Sequence, residues 1–105
     1  MRKITKDAVR AFFGGYKFKR DNTEVRWCEV SKSWKMYLHG NLIAYREPAL
    51  HGLSQFWICD GGWSSNTTKE RLNGLLPIGQ GIHQKNWQWY LNNEPWNGGW
   101  VRIQV

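Results

Sequence analysis

Trp87-Gln88-Trp89-Tyr90-Leu91-Asn92-Asn93-Glu94-Pro95-Trp96 is the stretch on which the fold turns, because a variant of it stands earlier in the chain as Trp34-Lys35-Met36-Tyr37-Leu38-His39-Gly40-Asn41-Leu42-Ile43. Both copies alternate in polarity. Trp34, Met36 and Leu38 share one face of the first, and Trp87, Trp89 and Leu91 share one face of the second, before each runs into a turn. A period of two that ends in turn residues is the signature of a half-buried hairpin. A helical phrase precedes each copy: Thr5-Lys6-Asp7-Ala8-Val9-Arg10-Ala11-Phe12 before the first, and Thr68-Lys69-Glu70-Arg71-Leu72-Asn73-Gly74-Leu75 before the second. The reading is a helix-then-strands unit used twice, with candidate repeat units 4–59 and 66–105.

Working outward, the 105 residues make room for a single domain with one core, burying about 60 to 70% of the extended chain's surface. Eight Trp, four Tyr and four Phe supply that core with large pieces, each able to hide roughly 150 to 250 Å². Fifteen Lys and Arg oppose eight Asp and Glu, and eleven of those cations fall in residues 1–53. A net charge of +7 suits an acidic partner such as nucleic acid, and the asymmetry places any electrostatic footprint on the first half. Only Cys28 and Cys59 are present, without a zinc-ligand spacing, so reduced thiols are expected. After Met1-Arg2-Lys3 the chain turns polar, with no secretory leader and no apolar run approaching the ~18 residues of a membrane span. The expected location is the cytoplasm.

Taken in order, the first helix is expected to be capped by Thr5, to carry Asp7 near its positive end and to stop at Gly14-Gly15, burying Ile4, Ala8, Ala11 and Phe12 while Lys6 and Arg10 share an exposed side. Cations and aromatics interleave in Tyr16-Lys17-Phe18-Lys19-Arg20-Asp21-Asn22. Strands follow over 23–30, with Val25 and Trp27 inward and Arg26 outward, then 34–38 and 42–46 around a Gly40-Asn41 hairpin loop. Pro48 to Gly52 breaks the pattern before a strand at 55–59. In the second helix Thr67-x-x-Glu70 reads as a capping box, Leu72, Leu75 and Leu76 face the core, and Asn73-Gly74 with Pro77 ends it. Strands over 82–85, 87–91 and 100–105 bring the total to about seven, antiparallel, with two short helices. The fold class is α+β, with the helices on one sheet face.

No catalytic constellation stands out. His39, His51 and His83 lack the spacing of metal or triad chemistry, and the acidic residues are scattered. No catalytic residue, metal or cofactor is therefore assigned. What does rise above background is a basic, aromatic surface. With Trp34, Met36 and Leu38 inward, Lys35 and Tyr37 point outward, and by the same alternation so does Tyr90; Arg26 and Arg46 are candidates to join them. Rings of this kind stack on unpaired bases while Lys and Arg neutralise phosphates. Lys17, Lys19 and Arg20, supported by Lys6 and Arg10, form the second candidate cluster.

The phrase Asn66-Thr67-Thr68-Lys69-Glu70-Arg71-Leu72-Asn73, followed by Trp89-Tyr90-Leu91-Asn92 and Trp96-x-Gly98, resembles small proteins encoded by bacteriophages and prophages. The resemblance covers the C-terminal 40 residues well and Tyr37-Leu38-His39-Gly40-Asn41 fairly. Its motifs are structural and carry over no catalytic residue. It implies a phage product in the cytoplasm of an infected bacterium. Two functions from different classes fit: a non-enzymatic nucleic-acid binder, with DNA preferred over RNA, and an interaction protein that docks on an acidic host surface to inhibit or redirect a host enzyme, such as a defence nuclease or the transcription machinery. No membrane role is expected.

Overall fold

The computed structural model describes residues 1–48 and 55–104. The chain runs α1 (Lys3–Gly14), β1 (Phe18–Arg20), β2 (Thr23–Cys28), β3 (Ser33–Leu38), β4 (Asn41–Arg46), β5 (Gln55–Ile58), α2 (Asn66–Leu75), β6 (Ile82–Lys85), β7 (Gln88–Leu91), β8 (Glu94–Pro95) and β9 (Val101–Gln104). The expected α+β class holds, with two helices and wholly antiparallel pairing. Two short strands, β1 and β8, add to the seven read from sequence. The interleaved segment before Asn22 thus contains an edge strand. His51 and the pattern break at 49–52 lie outside the described residues.

Strands β1 to β5 form a meander that β9 extends, in the order β1-β2-β3-β4-β5-β9, while β6-β7-β8 make a separate three-stranded sheet. The two similar phrases therefore occupy different sheets, as β3 and β7, each the middle strand of a meander. Both helices cover the same side of the larger sheet. There Val25, Met36, Leu38, Ile43, Ala44, Phe56, Ile58 and Ile103 meet Ala8, Ala11, Phe12, Leu72 and Leu75 in one core. Trp89 and Ile82 of the small sheet join the same cluster, with Trp96 tilted against Trp89.

Local chemistry differs from expectation at the helix starts. Helix α1 begins at Lys3 with no side-chain cap, and Thr5 is buried within it. Asp7 lies beyond the first turn and pairs with Lys3 and Arg20 instead. In α2 the cap is Ser65, whose hydroxyl accepts from the Thr68 amide, so the Thr67/Glu70 box does not form. Glu70 is drawn away by a stronger demand. Arg71 is only 1% exposed, and a buried guanidinium must find partners for its donors. Its Nε donates to Thr23 Oγ1 at 3.0 Å and its Nη1 to Thr5 Oγ1 at 2.8 Å. That Nη1 also pairs with Glu70, which accepts from the Thr5 hydroxyl. Burial acts to raise the Glu70 carboxyl, but Thr5, the Arg2 amide and Arg71 outweigh it and hold the group below its ordinary range.

Gly74 does not end α2, which continues to Leu75. The two helices approach closely there, and a Cβ on residue 74 would stand 2.5 Å from Thr5 Cγ2. The hairpin loops are also shifted by one residue. His39 and Gly40, not Gly40 and Asn41, take the positive φ values of the β3–β4 turn, and Asn86-Trp87 and Asn92-Asn93 do the same in the small sheet. Trp87 therefore does not share the inward face of Trp89; it sits at a hairpin tip, 93% exposed, with φ 68°.

Two stability outcomes follow from this helix crossing. Arg71→Met strands Glu70 without its charge partner and should lower the unfolding free energy by roughly 3 kcal/mol in urea titrations, with part recovered when Glu70→Gln is added. Gly74→Ala should also destabilise, by about 1 kcal/mol, because the clash with Thr5 outweighs alanine's better helix propensity.

Candidate nucleic-acid interface

With both helices on one side, no helix among the described residues covers the other face of the six-stranded sheet. Alternation and register decide what it displays. Arg26 pairs with Lys35, Lys35 with Tyr45, Tyr45 with Trp57 and Trp57 with Arg102, so one row across five strands carries three cations and two rings. The neighbouring row holds Lys19, Glu24, Tyr37 and Leu42. Cross-strand neighbours on one face lie close enough for their side chains to interact. The Arg26 guanidinium lies 4.4 Å from the Tyr37 ring centre, Tyr45 and Trp57 stack at 5.1 Å with planes 7° apart, and Trp100, just ahead of β9, meets Tyr45 at 5.0 Å edge-on.

A single irregularity sets the phase of this face. Between β3 and β4, Met36 pairs with Ala44 but Tyr37 pairs with Leu42, so Ile43 is an extra residue in a β-bulge. Ile43 and Ala44 are consequently both buried. Beyond the bulge the alternation of β4 is inverted, which turns Tyr45 outward and Arg46 inward. Arg46, a candidate for the outer face by simple alternation, instead donates through Nε to the Phe12 carbonyl at 2.6 Å and through Nη2 to the Phe13 carbonyl at 3.2 Å, holding the end of α1. Burial lowers its pKa.

The sequence-derived candidates are thus distributed. Lys19, Arg26, Lys35 and Tyr37 come together on the open face. Arg20 is paired with Asp7 at 2.8 Å, and Lys17 is exposed in the link between α1 and β1. Lys6 and Arg10 are exposed on α1, on the opposite side of the sheet. Tyr90 is in the small sheet, stacked on His83 at 5.0 Å. Sequence reasoning missed Tyr45, Trp57, Trp100 and Arg102. The alternation in Val101-Arg102-Ile103-Gln104 was a usable signal for Arg102, whereas Phe56-Trp57-Ile58 is apolar throughout and offers no phase.

Shallow recesses flank Trp100. One, of about 400 Å³, is lined by Ser33, Lys35, Tyr45 and Glu47; the other, of about 590 Å³, is lined by Tyr37, Asp60 and the glycines at 61, 62, 98 and 99. Leu42 and Trp100 belong to both. The end of β2 places Cys28 in the row beyond Arg26, and a hydrogen bond from Ser31, aided by the amides of Ser31 and Val30 and the charge of Lys35, lowers its thiol to about 7. Cys59 is the opposite case, pushed up by burial, with its thiol donating to the Leu42 carbonyl. Among the described residues, no three His, Cys, Asp or Glu side chains gather in a metal-binding arrangement, and no helix is long and apolar enough to cross a membrane.

Iodoacetamide should therefore modify Cys28 with a rate that rises through a midpoint near pH 7, as the thiolate forms. Cys59 should stay slow over the same range; peptide mass mapping at several pH values separates the two.

In comparison with known proteins, the family model described as Kyanoviridae Gp96 protein matches residues 1–102. The likeness to phage proteins extends over nearly the whole chain, not mainly its C-terminal 40 residues. No curated protein and no solved structure matches.

Proposed function

Because the chain belongs to the Kyanoviridae Gp96 protein family, a family of bacteriophage proteins, we propose that it is a non-enzymatic nucleic-acid-binding protein of the infected bacterial cytoplasm, with DNA preferred over RNA. The carrying observation is the row Arg26–Lys35–Tyr45–Trp57–Arg102 on a sheet face that no helix among the described residues covers. Cations on such a face neutralise phosphates, and ring faces and edges beside them favour bases. Lys19 extends the charge toward Tyr37, with which it lines a groove. Lys17 extends it further, while Lys6 and Arg10 contribute to the long-range field from behind.

Fluorescence anisotropy with labelled DNA at two salt concentrations tests this reading. Affinity should fall steeply, with a slope of log K against log salt of about −3 if the cations at 19, 26, 35 and 102 each meet a phosphate. Arg26→Glu combined with Arg102→Glu should weaken binding at least tenfold, and Lys6→Glu with Arg10→Glu should weaken it less. Absence of binding even at low salt discards the proposal.

A second reading is favoured by one observation of its own. Trp87 is fully displayed at a hairpin tip in a backbone conformation that bulky residues rarely adopt, and exposed tryptophans are frequent anchors of protein interfaces. An acidic host enzyme, inhibited or redirected, is the partner this reading requires. Affinity capture from nuclease-treated bacterial lysate distinguishes it: one stoichiometric protein retained by the parent chain and lost with Trp87→Ser supports it, and no such protein rejects it.

A further inference from the structure

Resting on the nucleic-acid reading, we infer that the ligand is a single strand, held with two successive unpaired bases on either side of Trp100. The indole is 49% exposed. Its contact with Tyr45 is T-shaped, at 63° between planes, and not a parallel stack. Tyr45 is itself stacked on Trp57, which braces the pair, and Trp100 is the ring common to both recesses. Leu42 is likewise common to both.

The two sides differ in a way that suits a nucleotide chain. On the first, Lys35 lies beside Tyr45 in the same ladder row, and Arg26 is the next residue in that row, so a base against the indole has cations within its own backbone's reach. On the second, the lining includes Asp60 and four glycines from two loops that meet where the Asp60 amide donates to the Gly98 carbonyl at 2.9 Å. A Cβ at residue 98 would fall 2.1 Å from Asp60, so this meeting of loops requires glycine. A Cβ at Gly62 would meet nothing within 4 Å, so space is open at that glycine, and Tyr37 contributes a ring to the same lining.

Duplex DNA cannot use this arrangement, because its base faces are already stacked on one another and only phosphates and groove edges are presented. An unpaired strand offers both the charge and the faces. The preference for single strands is therefore a property of Trp100 and its two recesses, whereas the salt dependence is a property of the cations around them.

The experiment compares a labelled single-stranded oligothymidine of about eight nucleotides with a hairpin duplex of equal charge, using the parent chain, Trp100→Ala and Trp100→Phe. The single strand should bind the parent at least tenfold more tightly than the duplex. Trp100→Ala should weaken single-strand binding tenfold or more with the salt slope unchanged, and Trp100→Phe should stay within about threefold of the parent. Circular dichroism of each variant reports folding, which a half-exposed residue outside the strands should leave intact. Equal binding of duplex and single strand, or an unchanged affinity in Trp100→Ala, with salt-steep binding retained, overturns this inference and leaves the nucleic-acid reading standing. No binding of either probe at low salt removes both.

Discussion

The buried guanidinium of Arg71 is the constraint around which the rest is arranged. A charge taken out of water is tolerated only when its donors are met, and the partners that meet them are Thr5 of α1, Glu70 of α2, Thr23 of β2 and Asn22 in the turn before β2. That single demand brings the two helices together on one side of the sheet and fixes their height above it. It also explains why position 74 is glycine, since the helices cross there too closely for a side chain. The leucines and phenylalanines supply most of the apolar burial, but such contacts are tolerant of sliding. Directional bonds to one guanidinium are not.

Placing both helices on one side has an equal and opposite result on the other. The six-stranded sheet keeps a face that is neither core nor ordinary solvated surface. Arg26 is held over Tyr37, and Tyr45, Trp57 and Trp100 brace one another. Side chains supported in this way lose less freedom when a partner arrives than the same residues on a loop, which favours binding by lowering its entropic cost. The bulge at Ile43 is what makes the face coherent. Without it, Ala44 and Arg46 would occupy the outer positions of β4, Tyr45 would be directed into the core, and the end of α1 would lose the arginine that holds it.

Much of this architecture was legible in the chain because strong periodicities survive tertiary context. Ile4, Ala8, Ala11 and Phe12 gave one helix face, Val25 with Trp27 and Met36 with Leu38 gave the inward sides of two strands, and Lys35, Tyr37 and Arg26 were correctly turned outward. The errors share a physical cause. Thr5 and Glu70 have the right chemistry for helix caps, but a buried arginine competes for the same oxygens and wins. Trp87 fits the alternation of its strand, yet two-residue loops at Asn86-Trp87 and Asn92-Asn93 leave Gln88 to Leu91 as the paired strand and put Trp87 in the turn. Arg46 was misplaced by one inserted residue, which no period-of-two pattern can announce. The outward rings at 45, 57 and 100 depend on that bulge, on an apolar strand without phase, and on a β5–β9 pairing between residues distant in sequence.

That last pairing has a bearing on when the protein becomes competent. Phe56 and Ile103 are neighbours in the sheet, yet the whole of α2 and the small sheet is made between them, and contacts across such a separation form late and slowly in folding. The Arg26–Lys35 pairing lies within the local β2–β3 hairpin, whereas Arg102 reaches its row only through β5 and β9. The complete outer row is thus assembled only in the finished fold, when the last strand has paired with β5.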